Sequence, residues 1–108
     1  MRYMMMTMRD ENEAAPDEKL FVEMGKFVEE LSAAGILVAT GGLDPDGMLM
    51  TVKDGELTVT DGPYAEAKET VGGFALVDVR SKDELEEIAR RFFAITGGGV
   101  SRVHQVFG

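Results

Sequence analysis

The amino-acid sequence predicts an α+β sandwich, with two helices on one face of an antiparallel sheet. Two segments carry apolar residues at the spacing of an amphipathic helix, and the shorter apolar runs around them are typical of strands. The elements are expected in the order β-α-β, β-hairpin, β-α-β. Two βαβ halves of this kind indicate a ferredoxin-like sandwich, with the hairpin inserted between the halves.

The first helix is predicted over 17–34. Pro16 suits the first turn of a helix, and Asp17 places negative charge near the positive end of the helix dipole. Gly35 can adopt the left-handed conformation that commonly ends a helix. The apolar residues of the segment fall on one helical face. They are Leu20, Phe21, Met24, Phe27, Val28 and Leu31.

The second helix is predicted over 82–95. Ser81 and Glu84 have the spacing of a capping box, in which each side chain accepts a hydrogen bond from the backbone N–H of the other residue. The glycines at 97–99 end the segment. Its apolar stripe consists of Leu85, Ile88, Ala89 and Phe92.

The remaining segments are predicted to form six strands. They cover 2–8, 36–41, 48–53, 56–60, 73–79 and 100–107. Asp54-Gly55 separates the third strand from the fourth, and this dipeptide is typical of a tight type I′ hairpin turn.

The predicted strands carry apolar side chains on both faces. In the first strand Tyr3 and Met5 alternate with Met4 and Met6. Strands of this kind are usually buried on both faces, whereas two helices cover only one. We therefore expect a homodimer that packs sheet against sheet. The alternative is a monomer whose open face carries scattered apolar side chains.

Composition excludes several classes of protein. The 108 residues suit a single domain over 1–108, and 20 acidic against 11 basic residues give a net charge of −9. This charge disfavours nucleic acid and anionic membrane surfaces as partners. With no cysteine and one histidine, the chain is expected to hold no metal, and no cofactor is predicted. The apolar start suits a buried strand better than a secretory signal, so we expect a cytoplasmic protein.

One segment is more distinctive than the rest of the chain. Asp61-Gly62-Pro63 follows a strand and predicts a rigid turn, because Gly62 permits a positive φ and Pro63 fixes its own φ. Tyr64 then lies on a fixed corner, and Lys68 belongs to a charged helical turn behind it. A purely structural turn with a solvated segment behind it is the alternative that spacing alone leaves open.

This segment reads D-G-P-Y-A-E-A-K-E-T-V-G-G-F from Asp61 to Phe74. It resembles the signature of the YCII-related family, in the subgroup named for its Asp-Gly-Pro-Phe motif, with Tyr64 in place of the motif's Phe. The opening strand and the segment 34–43 resemble that family as well. The resemblance implies a dimeric ferredoxin-like α/β barrel. It breaks down in the last strand, where His104-Gln105 replaces the usual Arg-Pro pair.

Two residues are the candidates for catalysis. The resemblance implies relatives that act as lyases or dehydrochlorinases and use a His–Asp pair on small ring compounds. His104 is the only imidazole of the chain, and an imidazole changes charge near neutral pH. Paired with Asp61 in a half-buried pocket, it would shuttle a proton. Substrate-binding residues are predicted at Tyr3, Gly62, Pro63, Tyr64 and Lys68.

Two functions from different classes remain open. The first is a small-molecule enzyme of lyase or isomerase type, with a pocket between sheet and hairpin near the dimer interface. The second is a non-catalytic dimeric module that binds a ligand or serves regulation. In that case Asp61 is a turn former, and His104 is a structural or interface residue of its strand.

Overall fold

The structure is a computed structural model that describes residues 1–9, 17–44, 46–61 and 70–108. Its elements are β1 (Arg2–Arg9), α1 (Glu18–Ala33), β2 (Leu37–Gly42), β3 (Met48–Lys53), β4 (Glu56–Asp61), β5 (Thr70–Asp78), α2 (Lys82–Thr96) and β6 (Ser101–Gln105). Every predicted helix and strand is present. The largest difference is at β5, which begins at Thr70 instead of Gly73 because Thr70 and Val71 pair with the end of β1.

Four strands form the main sheet in the order β2-β5-β1-β6, and each neighbouring pair is antiparallel. The two strands of the inserted hairpin, β3 and β4, form a second sheet of their own. The first strand of each βαβ half, β1 and β5, therefore lies at the centre of the sheet, as in a ferredoxin-like sandwich. The predicted α+β fold class is confirmed.

Helix α1 is closed at both ends by the residues next to it. The side chain of Asp17 accepts a hydrogen bond from the backbone N–H of Leu20 at 2.8 Å. Gly35 has a φ of +74°, and the N–H of Ile36 donates to the carbonyl of Leu31 at 2.9 Å. This is the glycine-ended C-terminus that the sequence predicts. The proposed role of Pro16 lies outside the described residues.

The capping box at α2 forms in one half only. The side chain of Ser81 accepts the N–H of Glu84 at 3.2 Å, as predicted. The carboxylate of Glu84 accepts instead from Arg80, one residue before the cap, through its backbone N–H at 3.1 Å and its guanidinium at 2.8 Å. These hydrogen bonds hold the pKa of Glu84 below its ordinary value.

The core lies between the helices and one face of the main sheet. Met5 and Val77 from the sheet are 6% and 1% exposed, and the helices contribute Phe27, Leu31, Leu85 and Ile88. Each such side chain stabilises the fold by roughly 1.5–3 kcal/mol. Phe21, which the sequence places on the apolar face of α1, is instead 66% exposed, because it lies at the margin of that face.

The inserted hairpin stands apart from this sandwich. Asp54 and Gly55 have φ values of +53° and +80°, so the turn is of the predicted type I′. No Cα atom of another described helix or strand lies within 8 Å of β3 or β4. The hairpin is therefore held to the described part of the chain only through its two ends.

Candidate functional site

The register of the main sheet fixes which side chains point away from the helices. Met5 belongs to the core, so its neighbours Met4 and Met6 point to the opposite face. Met4 lies directly between Leu76 on β5 and His104 on β6. Side chains that lie opposite each other on paired strands share a face of the sheet. His104 therefore belongs to the uncovered face.

We call this surface the open sheet face. Its centre is apolar and half-buried, although no described helix covers it. Its members on the three strands β1, β5 and β6 are Met4, Met6, Phe74, Leu76, Arg102 and His104. An apolar floor beside an ionisable group is the usual composition of a small-molecule site.

A glycine on β2 helps to form the floor of the open sheet face. Gly41 pairs with Phe74, and a Cβ atom at Gly41 would lie 3.0 Å from the Phe74 ring. The ring thus occupies the space that a side chain at Gly41 would need. The hydroxyl of Thr40 donates to the carbonyl of Phe74 at 2.9 Å and ties β2 to the same point. Sequence analysis gave no role to Gly41.

His104 is exposed at one edge of this floor. It lies on β6, an edge strand of the main sheet, two residues after Arg102 on the same face. Alternate residues of a strand share a face, and the register places Arg102 opposite Met6 and His104 opposite Met4 on this one. An imidazole in this position faces an apolar surface while it remains open to solvent.

Asp61 lies on the other sheet. It is the last residue of β4, pairs with Met48 on β3 and is exposed. Within one chain Asp61 and His104 form neither an ion pair nor a hydrogen bond with each other, because they belong to separate sheets. Their joint action as a proton shuttle stays a prediction.

Tyr3 lies on the face of the sheet that the helices cover. It pairs with Val77 and Gln105 and packs, partly buried, against the core. The sheet therefore separates Tyr3 from His104, and the structure does not bring them to one surface. A role of Tyr3 in substrate binding stays a prediction on which the proposals below do not depend.

The other predicted substrate-binding residues are Gly62, Pro63, Tyr64 and Lys68, and they lie outside the described residues. Asp61 is the one member of the motif's first half whose position is described. In 1–9, 17–44, 46–61 and 70–108, no three His, Asp or Glu side chains are grouped as metal ligands.

The hairpin carries a surface that sequence analysis did not identify. Met48, Met50 and Val52 lie on one face of β3, and β4 places Val59 opposite Met50 and Leu57 opposite Val52. We call these five residues the apolar hairpin face. The signal was present over 50–53, where Met50 and Val52 alternate with Thr51 and Lys53, although Leu49 interrupts the pattern before it.

Comparisons with known proteins bear on both fold and family. The YCII-related domain matches residues 1–106. An uncharacterized protein of Rhizobium meliloti is 36% identical over 76 residues, which cover 68% of this chain and 61% of that protein. The chain thus spans less than two thirds of that relative's length. No helix in the described part of the chain is long and apolar enough to cross a membrane.

A solved structure shares the fold. It is the 5-chloro-2-hydroxyhydroquinone dehydrochlorinase TftG from Burkholderia phenoliruptrix, in complex with 2,5-dihydroxybenzoquinone. The TM-score is 0.50 at 16% identity, and the match covers 99% of this chain and 94% of TftG. At this identity the likeness concerns the ferredoxin-like fold alone, whereas the family follows from the domain match. The chain belongs to the YCII-related family.

Proposed function

We propose that this chain forms a homodimeric small-molecule enzyme of lyase or isomerase type, in which His104 transfers a proton to or from a bound substrate. The observation that carries the proposal is the position of the chain's only imidazole on the apolar open sheet face. The subgroup named for the Asp-Gly-Pro-Phe motif is part of the same proposal, since it rests on the residues from Asp61 onwards.

The chemistry of the open sheet face supports this function. Met4, Phe74 and Leu76 offer a flat apolar floor on which a small ring would bind and displace water. Next to Met4, His104 supplies an imidazole, the side chain that most often serves as a general acid or base. Proton transfer by a positioned side chain contributes roughly 100- to 10,000-fold to a reaction rate.

The second copy supplies what one chain lacks. A small-molecule site usually encloses most of its ligand, and the open sheet face of one chain is too flat to do so. A partner subunit packed on this face would enclose the ligand and exclude solvent from His104. Asp61 would then orient the imidazole or hold its charge, as a carboxylate does beside a catalytic histidine.

The fold neighbour suggests a class of substrate. TftG was solved with 2,5-dihydroxybenzoquinone, a small hydroxylated ring. The open sheet face offers apolar residues to the ring and an ionisable edge to its hydroxyl or carbonyl groups. We therefore propose hydroxylated or carbonyl-bearing ring compounds as the substrates to test first.

The proposal is tested by incubating the protein with a panel of such compounds in deuterated water. The measured quantity is the rate at which protons of each compound exchange for deuterium. The enzyme is expected to catalyse exchange on at least one compound, and His104→Gln is expected to lower the rate at least about 100-fold. Gln105→Asn is the matched control, because Gln105 is adjacent but lies on the helix-covered face. Equal exchange rates for wild type and His104→Gln would contradict the proposal.

A non-catalytic dimeric ligand-binding or regulatory module is the second candidate. It is favoured by the separation of Asp61 from His104 within one chain, because Asp61 then cannot orient the imidazole of its own chain. Ligand binding at the open sheet face without proton exchange on any compound would support this candidate over the enzyme.

A further inference from the structure

The inserted hairpin is amphipathic, although no other described helix or strand has a Cα atom within 8 Å of it. Its apolar face consists of Met48, Met50, Val52, Leu57 and Val59, and these side chains are between 48% and 68% exposed. The opposite face is mostly polar and includes the pairs Thr51–Thr58 and Lys53–Glu56. A hairpin with one apolar face is typical of a strand pair that packs on a surface.

Each chain therefore carries two apolar surfaces that its described residues leave uncovered. The open sheet face carries His104 at its edge, and the apolar hairpin face continues to Asp61, which alternates with Val59 and Leu57 along β4. The two residues predicted to work together thus lie on two different surfaces that both need a covering partner.

We propose that the hairpin of one copy closes over the β6 side of the partner's sheet, so that Asp61 acts on the partner subunit's His104. This inference rests on the proposed function, and it states that the carboxylate beside His104 comes from the other subunit. The catalytic site would then be composite, and each dimer would hold two such sites.

The strand order makes this arrangement geometrically reasonable. Strands β2 and β6 are the two edges of the main sheet. When two open sheet faces turn towards each other about a two-fold axis parallel to the strands, β2 of one copy lies over β6 of the other. Strand β2 ends opposite Gly73, and Thr7 pairs with both Gly73 and Ser101, the first residue of β6. The hairpin, which follows β2 in the chain, therefore starts at the end of the sheet where β6 begins.

The areas also favour a second copy as the occupant. At about 4.8 Å between strands and about 6.8 Å between side chains of one face, the six residues of the open sheet face cover roughly 200 Å² and the five of the apolar hairpin face roughly 160 Å² in flat projection. Two copies would bury about 700 Å² in this projection, and the relief of the side chains raises the accessible area towards the roughly 1,000 Å² of a specific interface. A symmetric dimer covers all four surfaces at once.

Thiol cross-linking tests the trans contact without any substrate, so its result is independent of turnover. The chain has no cysteine, so Asp61→Cys and His104→Cys each introduce a unique thiol at an exposed position. The two variants are mixed, allowed to exchange subunits and treated with ortho-phenylene bismaleimide. The matched control replaces Asp61→Cys by Thr51→Cys, which lies on the polar face of the same hairpin.

We expect a covalent dimer from the mixture of Asp61→Cys and His104→Cys, and only background from the control mixture. Absence of the covalent dimer, in a sample that light scattering shows to be dimeric, would overturn the trans arrangement but leave the proposed function open. An intrachain cross-link in the double variant would also overturn it, since both residues would then belong to one chain's site.

Discussion

The apolar hairpin face gives the sharpest prediction about assembly. Met50 is 60% exposed on this face, and the adjacent Thr51 points to the polar face of the same strand. We predict that Met50→Glu weakens the dimer strongly and that Thr51→Glu leaves it nearly unchanged. The pair forms a matched comparison, because both variants add one negative charge at almost the same point of the chain.

The magnitude follows from the exposed fraction of Met50. Full burial of a methionine side chain stabilises by roughly 1.5–3 kcal/mol, so covering the exposed part contributes about 1–2 kcal/mol. A symmetric dimer contains this contact twice, so the substitution weakens the free energy of dimerisation by about 2–4 kcal/mol. At about 1.4 kcal/mol for each tenfold change, the dissociation constant rises roughly 30- to 700-fold.

Light scattering over a range of concentrations measures this effect. Wild type and Thr51→Glu are expected at twice the chain mass of 11.8 kDa, and Met50→Glu is expected to shift to the monomer mass at the same concentrations. Circular dichroism must show an unchanged fold, which is expected because Met50 contacts no core residue. The assignment of the apolar hairpin face to the dimer interface would be refuted if both variants dissociated to the same extent, or if neither variant dissociated.

Three further predictions concern stability and the floor of the site. Leu31→Ala should lower the free energy of unfolding by about 2–5 kcal/mol in denaturant titrations, because Leu31 is 5% exposed in the core. Arg80→Ala should raise the pKa of Glu84 towards its ordinary value, as read from the carboxyl signal by NMR, because the pKa is lowered by hydrogen bonds from Arg80. Since that pKa is lowered in the folded chain, the stabilisation is present above the ordinary pKa of 4.5 and is lost as the pH falls through the folded value. Gly41→Ala should displace the Phe74 ring and weaken ligand binding at the open sheet face with little loss of stability, whereas unchanged binding would mean that the ring is not part of the site.

Much of the fold could be predicted because its signals are local. The spacing around Phe27 and Leu31 defines a helical face, and Asp54-Gly55 defines the hairpin turn within two residues. The bond from Glu84 to Arg80 could not be predicted. The spacing S-x-x-E is equally compatible with a carboxylate that reaches one residue further back and gains a charged partner.

The candidate site depends on how strands that are distant in sequence lie relative to each other and to the helices, so less of it could be predicted from the sequence. Alternation placed His104 on one face of its strand, but β1 is apolar on both faces, so the sequence left open which face the helices cover. The burial of Met5 and Val77 decides this, and it puts His104 on the open sheet face and Tyr3 on the other. The turn at Asp54-Gly55 predicts that β3 and β4 pair with each other, but it does not determine that the hairpin stays apart from the main sheet and so carries Asp61 away from His104.

The imidazole of His104 offers the most direct test of the account. Because the chain has one histidine, its ring protons and nitrogens give a single set of NMR signals that needs no assignment by mutation. Titration with the compounds of the ring panel is expected to shift these signals in a saturable way for at least one compound, together with the ring signals of Phe74 on the same face. Saturable binding that leaves the His104 and Phe74 signals unmoved, or no binding by any compound of the ring panel, would contradict a ligand site on the open sheet face.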